Sequence, residues 1–205
     1  EALDPQRIDP ATSRWLRRPG RIEPLLRRVP PNALAVAAAH ADLSALLELV
    51  DHAATADSGR LFEQFELMAR GILLDLPPRE LAREVGPNVL ATFSLEPTRD
   101  SHREPRGGEP RGAVVMATTV PNREAGAALL NAARTVFAFV AIDHLNTGKD
   151  RSARAGARNL DGVSIVELVR AQAPPWVAST SPTVFAIGTS AATVVRFLAE
   201  SSDDQ

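Results

Sequence analysis

One local pattern recurs three times along this chain and constrains its fold more than any other feature. Residues 33–49, 113–130 and 183–198 each read as an apolar strand, a small polar turn and then an amphipathic helix. In the first unit, Leu34 and Val36 alternate with alanines, as in a strand between two apolar layers. Asp42 then offers a carboxylate to the free amides of a first helical turn, and Leu43, Leu46, Leu47 and Val50 fall on one face. In the third unit Ser190 takes the capping position, and Ala191, Val194, Val195 and Leu198 repeat the same spacing. Segments 33–50 and 183–199 are therefore expected to be structurally equivalent. In the middle unit Pro121-Asn122 starts a helix running from Arg123 to about Leu145. Its stripe is Leu129, Ala133, Val136 and Val140, widened by Leu130, Phe137 and Ala141.

The stretches between these units add helices over 60–74 and 79–85 and strands over 89–95, 163–170 and 176–179. Strands adjacent in sequence outnumber helical crossovers, which argues against a doubly wound parallel sheet. The pattern predicts an α+β fold, with a mixed or mainly antiparallel sheet and its amphipathic helices packed on one face. The expected core is Leu34, Val36, Leu46, Leu47, Phe65, Phe93, Val115, Phe137, Val140, Ile165, Phe185, Ile187, Val194 and Leu198.

Residues 1–31 contain seven arginines against four acids and six prolines, and read as an extended arm with short helical turns at 13–18 and 24–28, packing Trp15, Leu25 and Leu26 against a single domain over 32–200. Two segments rich in Gly, Arg and polar residues, 96–112 and 146–161, read as mobile loops, and 201–205 as a frayed tail. The 23 basic and 25 acidic residues leave a net charge of −2, too little to hold a nucleic-acid backbone. The absence of cysteine excludes disulfides, thiolate metal sites and cysteine nucleophiles. No run of about 18 apolar residues is present, so no membrane-spanning segment is expected. The chain opens at Glu1 rather than Met, which says nothing about compartment.

Reactive side chains are sparse. The four histidines are His40, His52, His102 and His144; no two stand at i, i+4, and only His144 has a carboxylate, Asp143, directly beside it. No metal site and no cofactor are expected. Gly188-Thr189-Ser190 lies at a strand-to-helix turn, but Ala191-Ala192 stand where a nucleophile elbow would carry its second glycine. Helix capping accounts for Thr189 and Ser190, and a turn hydrogen bond accounts for His40. Gly107, Gly108 and Gly112 fall in a loop, so no dinucleotide or phosphate fingerprint exists.

The segments "VPPNALAVAAAHADLSALLELV", "LPPRELAREVGPNVLATFSLEP", "GVSIVELVRAQ" and "TVFAIGTSAATVVRFLAE" together resemble a bacterial family of predicted exported proteins, domain of unknown function 3352, in its planctomycete-type members. The resemblance spans roughly residues 29–200 and rests on packing and turn patterns. It implies an exported or envelope-associated location and transfers no catalytic residue. The expected function is that of a non-enzymatic scaffold or binding domain, with a protein partner or self-association. The alternative is a hydrolase-like enzyme whose site gathers near His40 and the Gly188-Thr189-Ser190 turn.

Overall fold

A seven-stranded antiparallel sheet organises the protein, with the strand order β1-β2-β3-β7-β6-β5-β4. The computed structural model describes residues 22–40, 44, 67–96, 111–171 and 173–199. In chain order the elements are α1 (Glu23–Leu26), β1 (Ala33–His40), α2 (Pro78–Glu84), β2 (Asn88–Glu96), β3 (Arg111–Thr119) and α3 (Arg123–Asn146). β4 (Arg154–Leu160), β5 (Val163–Arg170), β6 (Ala173–Thr180), β7 (Val184–Gly188) and α4 (Ala191–Ala199) follow. A further helical stretch over 67–72 precedes α2. The α+β class and the antiparallel sheet agree with the sequence reading.

The helices, however, pack on both faces rather than one. Side chains alternate across a strand, so neighbouring residues in β5 and β6 report on opposite layers. Ile165 and Val177 join Leu25, Leu90, Val115, Val184, Val194, Phe197 and Leu198 in a core beneath α1 and α4. Val166, Leu168 and Ala178 point the other way, to Phe137 and Ala141 of α3. Two apolar sheet faces demand two covering layers, and the alternation of large apolar residues in β5 through β7 already contained that demand. The units β3–α3 and β7–α4 thus share their local pattern but not their placement. Apart from Ser44, which is helical, the helix expected after Asp42 lies outside the described residues, as do Leu46, Leu47 and Phe65, so the superposition of the 33–50 and 183–199 units falls outside them too.

Caps and close contacts fix where α3 and α4 begin. The Asn122 side chain accepts from the Ala125 amide at 2.8 Å, capping α3 as its position after Pro121 predicts. A Cβ on Gly126 would stand 2.4 Å from Thr180 Oγ1, so the start of α3 approaches the end of β6 closely enough that a side chain there would displace the Thr180 hydroxyl. α2 and the 67–76 segment complete a third cluster, where Leu81, Val85, Val120, Ala125 and Ala128 pack together against Leu73 and Leu76.

Several expectations need correction. Segment 146–161 is not a single loop: α3 runs to Asn146, and 154–160 forms edge strand β4. β4 shows no apolar alternation because nearly all of it is exposed. The signal it does carry is Asp161-Gly162, whose φ values of 51° and 82° make the two-residue turn to β5. Segment 96–112 is also shorter than read, since Glu96 ends β2 and Arg111 starts β3; residues 97–110 lie outside the described ones. Within the 1–31 arm, the short helical turn expected at 24–28 and the packing of Leu25 are both present. Residues 23–26 are helical, Leu25 is fully buried and Arg28 is 3% exposed; residues 1–21, with Trp15, lie outside the described ones.

In the core, Leu34, Val36 and Phe93 prove exposed, and Val136 stands on the outer side of α3. β1 is the outermost strand of the sheet as described, so its alternation has no helix packed closely on it among the described residues. Val115, Phe137, Ile165, Val194 and Leu198 are buried as expected, with Val140, Phe185 and Ile187 partly buried beside them. β6 begins earlier than expected and takes in Pro174-Pro175. Both prolines lie where β6 has not yet met β7 and where the β5–β6 register shifts, a position that spares the missing amides.

Candidate functional site

The sequence singled out His40 and the Gly188-Thr189-Ser190 turn, and the structure keeps them apart. His40 pairs with Asn88 at the start of β2. Ser190 instead donates its hydroxyl to Glu96, at the far end of the same strand. Eight strand residues at about 3.3 Å each put roughly 26 Å between these points, so no cleft unites His40 with Ser190. His52 and His102 lie outside the described residues.

The turn itself is fully committed to structure. Thr189 exchanges two hydrogen bonds with the β3 backbone: its amide donates to the Val114 carbonyl at 2.9 Å, and its hydroxyl accepts from the Val114 amide at 3.0 Å. Ser190 Oγ accepts from the Thr193 amide at 3.4 Å and donates to Glu96 Oε2 at 2.6 Å. The buried Thr193 hydroxyl donates to the other carboxylate oxygen of Glu96. A carboxylate at a helix start complements the helix dipole and the first-turn amides. The arrangement locks the end of β2 to α4, and it occupies both oxygens of Glu96.

A different constellation forms at the opposite end of α3, where the sequence placed only a loop. His144, Lys149, Asp150, Arg170, Ala171 and Ala173 line an open cleft of about 200 Å³. His144 comes from the last turn of α3, Lys149 and Asp150 from the connection to β4, and Arg170 from the end of β5. Asp150 is the organiser. Its Oδ1 accepts from the Ser152 amide and hydroxyl at 2.8 and 2.6 Å, and its Oδ2 from the Ala171 amide at 2.8 Å. The Ser152 hydroxyl, then the Ala171 and Ser152 amides, hold its carboxyl below the ordinary carboxylate pKa, with a smaller contribution from His144. This carboxylate ties the α3–β4 connection to the β5–β6 turn.

The cations around it are less fully engaged. Arg170 Nη2 donates to the Pro174 carbonyl at 3.3 Å, while Arg170 Nε and His144 Nδ1 are buried with no hydrogen-bond partner. Lys149 reaches Asp143 at 3.4 Å across solvent. Asp143, the carboxylate next to His144 in sequence, therefore serves the lysine. Among the described residues no group of three or more His, Asp or Glu side chains is placed to hold a metal ion. Comparison with family models, with curated proteins and with solved structures finds no match.

α3 has a further property that its inner packing does not use. Leu130, Ala133, Phe137 and Ala141 face the sheet over β4 to β7. On the remaining circumference Val136, Phe139, Ile142 and Leu145 are each about half exposed or more, with Phe139 at 66%. By length and composition alone this helix is long and apolar enough to cross a membrane, although 28% of its most apolar window is buried here. The sequence reading missed this because it assigned Val136 to the inner stripe and looked for an uninterrupted apolar run.

Proposed function

We propose that this chain is a non-enzymatic binding domain, a scaffold whose working surface is the outer face of α3 and whose partner is a second copy of itself. The carrying observation is the run of Val136, Phe139, Ile142 and Leu145 along ten residues of one rigid helix. Their exposed portions sum to roughly 400 Å², at about 150–200 Å² for a whole large apolar side chain. Successive members of the run are three residues apart and wind about 60° around the helix per step, so two facing copies cover Phe139 and Ile142 and only part of Val136 and Leu145, removing less than twice that area from water. That is below the roughly 1200 Å² at which specific, stable interfaces begin and falls among weak, transient contacts. A reversible dimer is the association such an area supports. The likeness to exported proteins adds an envelope-side location to this proposal.

Sedimentation equilibrium from about 10 to 500 μM tests it. A mass that rises toward the dimer is expected, and so is its loss in a Phe139→Glu, Ile142→Glu double variant with unchanged thermal unfolding. A chain that stays monomeric throughout overturns self-association. Co-flotation of that monomer with lipid vesicles would put a membrane surface in the partner's place.

A further inference from the structure

We propose that the cleft at the C-terminal end of α3 is a binding site for a small oxyanion, a phosphate group carried as the free ion or a soluble monoester. Side-chain donors outnumber free acceptors throughout its lining. Asp150 contributes the one side-chain carboxylate there, and both its oxygens are taken by Ser152 and Ala171. It therefore presents anchored charge rather than free acceptor capacity. Every other side-chain functional group of the lining is a donor or becomes one on protonation: the Arg170 guanidinium, the Lys149 ammonium and the His144 imidazole.

Two nitrogen atoms of this set, Arg170 Nε and His144 Nδ1, are buried and unpartnered. Buried polar groups are rarely left so, because each forfeits its hydration without recovering a bond. A cleft rich in donors and poor in acceptors selects a ligand of the reverse character. Lys149 and Arg170 against Asp150 and the Asp143 carboxylate that Lys149 reaches balance to zero when His144 is neutral and to one positive charge when it is protonated, so donor geometry rather than net charge carries the selection. A guanidinium fork beside an ammonium suits tetrahedral oxyanions, the fork fixing two oxygens and the ammonium supplying point charge. His144 sits on a helix end and Arg170 on a paired strand, so their backbones are fixed before the ligand arrives, and their buried nitrogens turn toward the cleft on binding.

The test is a titration of the whole chain with inorganic phosphate at constant ionic strength, followed by the amide and imidazole resonances. Saturable shifts confined to the residues around His144, Lys149 and Ala171 are expected, with a dissociation constant of about a millimolar or tighter. Arg170→Gln should weaken binding at least tenfold and Lys149→Gln, on an exposed connection, about three- to tenfold. Arg154→Gln on β4, outside the cleft, should leave it within about twofold. The Phe139→Glu, Ile142→Glu variant should bind phosphate normally, which separates this site from the α3 surface. Linear, non-saturating shifts, or equal binding by the wild type and Lys149→Gln, would overturn the proposal. So would binding to phosphatidic-acid vesicles without binding to the free ion.

Discussion

Replacing Arg28 by methionine should cost this protein about 2 kcal/mol, although Arg28 lies in a segment whose sequence resembles a flexible arm. The side chain is 3% exposed, and its Nη1 donates to the carbonyls of Leu198 at 2.8 Å and Phe197 at 3.4 Å. Those are last-turn carbonyls of α4, the groups that a helix leaves without an internal partner. A cation there satisfies them and complements the negative end of the helix dipole. Hydrogen bonds to charged groups contribute about 1.5–3 kcal/mol each when well made. The bond to Leu198 qualifies, while the longer ones to Phe197 and to Thr183 Oγ1 are marginal. Against this stands desolvation, which lowers the Arg28 pKa and leaves its Nε without a partner. Methionine preserves most of the apolar stem but leaves the Leu198 carbonyl orphaned. One well-made charged bond, less part of that desolvation, gives a net loss of about 2 kcal/mol.

Urea unfolding at 25 °C checks this. With a slope of about 2–3 kcal/mol/M, near the upper end for small proteins, the midpoint should fall by roughly 0.7–1 M. Thermal unfolding should fall by about 4–8 °C. Arg28→Lys should recover less than half of the loss, since one ammonium cannot span both carbonyls and Thr183. An Arg28→Met midpoint indistinguishable from that of the wild type would sink the capping role. It would mean that desolvation of the guanidinium cancels the cap.

Three further perturbations probe the other parts of the structure. Gly188→Ala should destabilise by about 1–3 kcal/mol, because its Cβ would stand 2.4 Å from the Val114 carbonyl oxygen; Gly156→Ala, with open space around it, should be neutral or better, and urea midpoints compare the two. Ser190→Ala should cost about 1–2 kcal/mol by removing both a cap and a donor to Glu96, while any activity found in the protein should change by no more than about threefold. Asp150 is held below its ordinary value of 3.8 in the folded state, so its contribution is complete above that pH and is lost as pH falls through the lower folded value. The protection factor of the Ala171 amide, its exchange rate relative to the intrinsic rate at each pH, should fall over that acid range, and Asp150→Asn should abolish that change.

Elements whose cause is local were legible in the chain itself. The helix start at Pro121-Asn122, the helical span that follows it and the β7–turn–α4 unit all follow from interactions within a few residues, whereas the stripe read as Leu129, Ala133, Val136 and Val140 is displaced from the inner face of Leu130, Ala133, Phe137 and Ala141. The antiparallel α+β class followed as well, since adjacent strands without helical crossovers have few other ways to pair. β4 was read as part of a loop, and its one local signal, the Asp161-Gly162 turn, was passed over: an exposed edge strand carries no burial pattern, and its membership is decided by the backbone of β5. Which face each helix covers emerged only in three dimensions, because a capped turn leaves a helix free to cross either side of a two-sided apolar sheet. The site was less legible still. Glu96 and Ser190 lie 94 residues apart, as Arg28 and Leu198 lie 170 apart. The cleft draws His144 and Lys149 from the end of α3 and its connection and Arg170 from the end of β5, two segments with no shared spacing. Periodicity reports which side of an element is buried, but only the paired strands and packed layers bring distant side chains to one place.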